Sequence, residues 1–157
     1  MTEKKPRKLR SDSISASLRA AQNAVAEPLL PPGSKQLSEV EILFFSDIVK
    51  ARARDDWKEA DLYFAADLAR CMSDINREQE TLRGEDSVIV ESSGKLVENP
   101  RIKIISRYRS EAAAIARTLQ IGGRGIGDPR TFEKARALEE KARRTVGEIQ
   151  AEDNLLA

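Results

Sequence analysis

The stretch that decides the fold is WKEADLYFAADLARCMSDINREQETL, residues 57–82. Apolar residues recur along it at the spacing of one helix face. These residues are Leu62, Ala65, Ala66, Ala69, Met72, Ile75 and Leu82. No Gly or Pro interrupts the stretch before Gly84, and Asp56 followed by Glu59 is typical of a capped helix start. The sequence therefore predicts one helix of roughly 40 Å.

A helix of this length extends beyond one small core. Part of its apolar stripe is therefore expected to meet another element or another copy of the chain. The small residues Ala65, Ala66 and Ala69 permit the close approach of a second helix. We assign an oligomerisation role to nine apolar residues in this helix and its two neighbours. They are Phe44, Ile48, Leu62, Ala66, Ala69, Met72, Ile104, Tyr108 and Ile115.

A second helix is predicted just upstream, over residues 37–54. Ser38 and Glu41 form a capping-box pattern, and Leu37 with Ile42 has the spacing of a hydrophobic staple. A short turn joins this helix to the central one, which is compatible with a helix-turn-helix or with an ordinary helical hairpin.

The N-terminal segment is basic and polar. Residues 1–10 carry five Lys or Arg against one Glu, and we expect this arm to hold phosphates. The cations concerned are Lys4, Lys5, Arg7, Lys8 and Arg10. A short alanine-rich helix over residues 14–26 follows Ser13, and a linker with three Pro and one Gly lies at residues 28–33.

Residues 86–98 predict a β-hairpin, because apolar and polar residues alternate on both sides of Ser93-Gly94. Asn99-Pro100 then starts a helix that ends near Leu119, with Asn at the cap and Pro at the first helical position. Its basic side provides further candidate DNA-binding residues. These are Arg101, Lys103, Arg107 and Arg109.

The last part of the chain holds a Gly-rich stretch, a helix and a tail. Residues 122–127 follow a helix rather than a strand and lack the Gly-Lys-Ser/Thr of a phosphate loop, so we interpret them as a connector. Asp128-Pro129 starts the last helix, and residues 150–157 are predicted to be a tail. The sequence thus suggests four segments: 1–36, 37–85, 86–121 and 122–157.

The composition favours an elongated helical assembly over a compact sheet enzyme. Among 157 residues, 40% are apolar, 4% aromatic and 34% charged. There is no His and only one Cys, which excludes an intrachain disulfide and a Cys-rich metal site. No spacing singles out an acid–base pair or a two-metal site. We predict no catalytic residue, no metal and no cofactor.

The net charge of +1 conceals blocks of opposite sign. Residues 36–100 carry eight Lys or Arg against fifteen Asp or Glu, whereas residues 101–130 carry seven against two. Such blocks indicate an anionic partner or contact between copies of the chain. No apolar run reaches the length of a membrane span, and the N-terminus lacks a signal-peptide core. An intracellular, soluble protein is expected.

Four features, taken together, resemble the small terminase subunit of tailed bacteriophages. They are RSDS at 10–13 before a Pro-rich linker, DW at 56–57 leading into ADL at 60–62, ESSGK at 91–95 closed by ENP at 98–100, and the Arg-rich helix ending near Leu119. The resemblance covers most of residues 7–121. Beyond Leu119, this chain has a Gly-rich stretch where members of the family often continue with Gly-Leu-Thr-Pro.

The resemblance implies a mainly α fold with one small β-hairpin that assembles into a ring oligomer. It also implies a non-enzymatic role in the host cell cytoplasm, in which the ring binds double-stranded viral DNA and recruits the terminase large subunit. Two other interpretations of the sequence are a dimeric helix-turn-helix transcriptional regulator and a structural helical adaptor without DNA contact.

Overall fold

The computed structural model describes residues 13–33, 35–121 and 129–155, and in the last range it places the side chains of 133–152. These residues form five α-helices and one two-stranded antiparallel sheet. The elements are α1 (Ile14–Val25), α2 (Glu39–Lys50), α3 (Glu59–Arg83), β1 (Val88–Val90), β2 (Leu96–Glu98), α4 (Pro100–Thr118) and α5 (Pro129–Leu155). The predicted mainly α fold with one hairpin is therefore confirmed at this level.

Local capping signals place most of the helix starts. The Ser13 hydroxyl accepts a hydrogen bond from the amide of Ala16, at 3.2 Å, and α1 begins at the next residue after Ser13. The predicted capping box of α2 is confirmed, because the Ser38 amide donates to Glu41 at 2.7 Å and the Glu41 amide donates to Ser38 at 3.4 Å. Each such contact satisfies an amide that the first helical turn leaves free.

The predicted cap of the central helix is wrong. Asp56 lies in a separate 3₁₀ turn, Arg54–Asp56, and α3 begins at Glu59. The amide of Lys58 instead donates to the Asp61 carboxylate at 3.3 Å. Helix α2 ends at Lys50, so the predicted extension of this helix to residue 54 is wrong, and residue 54 belongs to the 3₁₀ turn.

The described residues group into two compact units. The first contains α1, the 3₁₀ turn and α5, and the second contains α2, α3, the hairpin and α4. The four segments suggested by the sequence stay a prediction about the chain's organisation. In the structure, segments from the two ends of the chain belong to the same unit.

The core of the second unit lies where α2, α3 and the end of α4 meet. Phe45 and Leu119 are each 1% exposed, and they pack with three alanines of α3 that have no exposed surface. Those alanines are Ala65, Ala66 and Ala69. Close helix approach at small residues is thus found within one copy of the chain, and it holds α2 and α4 against the same half of α3.

Helices α3 and α4 run antiparallel. The Cys71 thiol donates to the carbonyl oxygen of Tyr108, with 3.2 Å between sulfur and oxygen. Further along, Arg101 Nη1 donates to Glu78 Oε2 at 2.6 Å. Burial raises the pKa of the Cys71 thiol, and the nearby Glu111 carboxylate raises it further. Cys71 is therefore a protonated packing residue of the helix pair.

The hairpin between α3 and α4 has the predicted turn. Val88 pairs with Glu98 and Val90 pairs with Leu96, while Gly94 adopts a φ of 80°, a conformation that glycine accepts without a steric cost. Because side chains alternate along a strand, Val88, Val90 and Leu96 share one face, and all three are exposed. Glu98, directly opposite Val88, lies on the same face, so this short sheet presents three bare apolar side chains beside one exposed carboxylate.

The first unit is held by a buried carboxylate. Glu139 on α5 is only 2% exposed, and its Oε2 accepts a hydrogen bond from the Arg54 amide at 2.9 Å. Its other oxygen accepts from the Arg143 guanidinium one turn along α5. Helix α5 continues to Leu155. The predicted tail of residues 150–157 is therefore wrong for residues 150–155, which are helical.

Glu139→Ala is expected to destabilise the first unit by about 1–3 kcal/mol, because it leaves the partly buried Arg54 amide without its acceptor. Urea unfolding followed by circular dichroism measures the loss. The matched control is Glu140→Ala, since Glu140 pairs with Arg144 at 2.7 Å but both side chains are at least half exposed. A surface pair of this kind contributes at most about 1 kcal/mol. Equal losses in the two variants would contradict the role assigned to Glu139.

Candidate nucleic-acid interface

The cations predicted to contact DNA fall into groups with different surroundings. Lys4, Lys5, Arg7, Lys8 and Arg10 lie outside the described residues. The other four lie on α4, which begins directly after the hairpin. The sequence assigned these four to one basic side, and the structure separates them.

Arg101 is committed to an ion-pair cluster within the second unit. Its Nη1 contacts Glu78 Oε2 at 2.6 Å, and its Nε contacts both oxygens of Glu85 at 3.0 Å. These two carboxylates hold the guanidinium between the end of α3 and the start of α4. Arg101 therefore joins two helices rather than presenting an open cation.

Lys103 and Arg107 are exposed and lie four residues apart, on the same side of α4. Within the described part of the chain, neither of them makes an ion pair. Two exposed cations one helical turn apart attract an anionic backbone such as a row of phosphates. Of the four predicted cations on α4, these two share one exposed side of the helix.

Arg109 faces a different direction. Six residues separate it from Lys103, which turns the helix through roughly 240°. Arg109 lines an open cavity of about 480 Å³ between α3 and α4, together with Leu82, Arg83 and Ile105. Arg83 is paired with Glu80 at 2.6 Å. The four α4 cations thus do not form one continuous surface.

Asn99 organises the junction of the hairpin and α4, and the sequence identified only its capping role. Its side-chain oxygen accepts from the Arg101 amide at 3.0 Å, as predicted for a cap. Its Nδ2 also donates to Glu85 at 2.9 Å and to the Asp86 carbonyl oxygen at 3.1 Å. With 3% of its surface exposed, Asn99 is a buried link between the loop that joins α3 to β1 and the start of α4.

The pKa of Glu85 lies below its ordinary value, because Asn99 and then Arg101 donate hydrogen bonds to its ionised form. A lowered folded-state pKa stabilises the fold above the unfolded-state pKa, and this stability is lost as the pH falls through the folded value. We expect Asn99→Ala to raise the pKa of Glu85 in a carboxyl-carbon NMR titration. An unchanged Glu85 titration would contradict the assignment.

The predicted oligomerisation residues also separate into groups. Ile48, Ala66 and Ala69 are buried in the core of the second unit, and Phe44, Leu62 and Ile115 pack partly buried against it. Tyr108 is half-buried beside Cys71. Only Met72 and Ile104 of this set are exposed. Packing within one chain accounts for most of the set.

Other apolar residues of the second unit are bare. Tyr63 and Phe64 on α3 are exposed and lie off the predicted stripe of that helix. On α2, the helical spacing predicts Val40 and Leu43 on the same apolar face as Phe44 and Ile48, and this is wrong, because both side chains are exposed. Together with Met72, Ile104 and the bare apolar side chains of the hairpin, they give this unit more apolar surface than a solvated helix face requires.

In residues 13–33, 35–121 and 129–155, no three His, Cys, Asp or Glu side chains converge in a way that fits a metal ion. Over the same residues, none of the helices combines the length and apolar character that a membrane crossing requires.

The fold and this surface define a mainly helical protein with a hairpin-linked helix pair and exposed cations on one of the two helices. The sequence model of the Hendrixvirinae small terminase family matches residues 1–157, and the chain belongs to that family. It is also similar to the small subunit of the terminase of Enterobacteria phage HK97, with 31% identity over 154 residues, covering 96% of this chain and 95% of that protein. The predicted resemblance to small terminase subunits is confirmed.

Proposed function

We propose that this small terminase subunit acts as a non-catalytic ring oligomer that binds double-stranded viral DNA and recruits the terminase large subunit in the cytoplasm of the infected cell. Family membership over the whole chain is the observation that carries the proposal. The word terminase denotes the machinery that cuts and packages viral DNA, and a small subunit has a large one as its partner.

DNA binding is supported by the distribution of cations. Lys103 and Arg107 make no ion pair with any described carboxylate and lie on one side of α4, and the arm of residues 1–10 adds five more cations. Phosphate contacts supply affinity without reading sequence. We therefore propose that the arm and this side of α4 hold the DNA backbone, whereas Arg101 is held by its two carboxylates and Arg109 lies on another side of α4.

Oligomerisation is supported by the apolar surface that one copy leaves bare. On the helix pair, Phe64, Met72 and Ile104 are exposed, and the hairpin beside it exposes Val88 and Leu96. A two-stranded hairpin is marginal in water without a partner for its apolar face. We propose that neighbouring copies cover these surfaces, with each copy meeting its two neighbours through different faces, as a closed ring requires.

The experiment that tests the DNA contact is the double variant Lys103→Gln, Arg107→Gln, studied by fluorescence anisotropy with a duplex of viral DNA over a salt series. Losing two phosphate contacts is expected to reduce the log–log salt slope by roughly 1.8. The matched control is Lys50→Gln, Lys58→Gln, which removes two exposed cations from α2 and the start of α3. The control is expected to bind as the parent does. A slope unchanged by the first pair would remove α4 from the DNA interface.

Recruitment of the large subunit is tested separately, by co-purifying this chain with the large subunit from the same viral genome. Retention of the large subunit on an immobilised copy of this chain is the expected result. Absence of any complex, with both proteins folded, would overturn this part of the proposal and leave the DNA contact standing.

A further inference from the structure

Helix α1 packs with its small residues inward and its large apolar residues outward. Its one buried residue is Ala20, at 8% exposure, and α1 packs against α5 within the first unit. On the other side, Ile14 is 89% exposed, Leu18 60% and Val25 67%. An amphipathic helix ordinarily buries its Ile, Leu and Val residues. An exposed apolar face of this kind is typical of a surface that binds another protein element.

The outward face has the spacing of a coiled-coil seam. Ile14, Leu18, Ala21 and Val25 follow one another at intervals of four, three and four residues, which are the d, a, d and a positions of two heptads. Ala21 is exposed like the other three. Such a pattern fits another α-helix with a matching seam better than it fits a sheet or an extended peptide.

The positions that flank the seam carry no charge. They are Ser15, Ser17, Gln22 and Ala24. Charged residues at these positions normally select a different partner, and identical like charges would keep two copies apart. Uncharged flanks place no such barrier between identical helices, and the small side chains at three of the four positions let two backbones come close.

We propose that α1 pairs with α1 of a second copy of this chain, in antiparallel orientation. The charge of the arm determines the orientation. Residues 1–10 carry five Lys or Arg against one Glu, and a parallel pair would bring two such arms together at one end. The antiparallel pair places Ile14 of one copy beside Val25 of the other, and Leu18 beside Ala21, so that large and small residues alternate.

The symmetry of this contact separates it from the proposed ring. An antiparallel pair of identical helices is an isologous contact, in which both copies use the same surface patch. Such a contact joins two copies and cannot add a third. A ring instead needs two different patches on each copy. The α1 pair therefore joins protomers of two rings, or two copies in the absence of any ring, and it does not rest on the ring being correct.

Site-directed cross-linking in the full-length chain tests the pairing. In a Cys71→Ala background, L18C and A21C are made as two separate proteins, mixed under reducing conditions and then oxidised mildly. A disulfide needs α-carbons about 4.4–6.8 Å apart. The antiparallel pair predicts efficient cross-linking between L18C and A21C chains and little within either protein alone. The matched control mixes L18C with E148C, which lies at an exposed position of α5, and no cross-link is expected.

Two other outcomes would contradict different parts of the proposal. A cross-link in L18C alone would show a parallel pair and overturn the orientation. Absence of cross-links in every mixture would overturn the pairing, and would mean that another part of the same chain or a different protein covers the α1 seam.

Native mass spectrometry of the variant Leu18→Asp separates this proposal from the ring. If both proposals hold, Leu18→Asp halves the mass of the assembly and leaves more than two copies together. A parent dimer that becomes a monomer in this variant would support the α1 pair and overturn the ring. An assembly whose mass does not change in the variant would overturn the α1 pair alone.

Discussion

Deletion of residues 2–10 is expected to weaken binding to duplex DNA on the order of a thousandfold at physiological salt, and to reduce the log–log salt slope by roughly 4.5. The reason is the release of counterions. Each of the five cations in this segment that neutralises a phosphate contributes roughly 0.9 to the slope. Fluorescence anisotropy over a salt series measures both the affinity and the slope.

A scrambled arm is the control for the deletion. A variant that contains residues 2–10 in a different order keeps the length and charge of the segment, so it is expected to bind almost as tightly as the parent. If the scrambled arm binds as weakly as the deletion, the arm acts through a specific structure rather than through its charge. If the deletion leaves the log–log salt slope unchanged, the arm makes no contact with DNA phosphates.

Phe45→Ala is expected to cost about 3–5 kcal/mol of unfolding free energy, which is the usual range for removing a fully buried aromatic ring. Phe45 is 1% exposed and packs with Leu119 and the alanines of α3, so its loss opens a cavity where three helices meet. The free energy of unfolding from urea titration measures the loss. A loss of this size is a large part of the total stability of a small domain.

Leu43→Ala is the matched control, because Leu43 lies two residues away on the same helix and is exposed. Its substitution is expected to change the unfolding free energy of an isolated copy by at most about 0.5 kcal/mol. A larger loss for Leu43→Ala than for Phe45→Ala would mean that α2 presents the opposite face to the core.

The helix starts that depend on neighbouring residues were predictable. Ser38 with Glu41 and Asn99 with Pro100 act within one helical turn, so the sequence alone contains the whole interaction. Asp56 shows the limit of this reasoning. Its pattern with Glu59 resembles a cap, but the 3₁₀ turn takes residues 54–56, and Asp61 accepts the hydrogen bond instead.

The side of each helix that faces the core was only partly predictable. Residues 42–45 are all apolar, so the period of the pattern does not decide between Phe44 and Phe45, and the structure buries Phe45 most deeply. Leu68 was likewise absent from the predicted stripe, although it is nearly fully buried. A run of neighbouring apolar residues blurs helical periodicity, and only the packing partners resolve it.

Contacts between distant parts of the chain were not predictable. Glu139 binds the Arg54 amide across 85 positions of sequence, and Arg101 is compensated by carboxylates of α3 and of the loop that follows it. In the sequence, Arg101 and Lys103 are equivalent, because both are cations on the basic side of the same predicted helix. The structure distinguishes them because the acidic partners of Arg101 come from a different element.

Native mass spectrometry of the full chain at micromolar concentration tests the central claim most directly, namely that single copies leave apolar surface that other copies must cover. The account predicts one discrete assembly of more than two copies, whose thermal midpoint falls on dilution. A stable monomer with a cooperative melt that does not depend on concentration would contradict it.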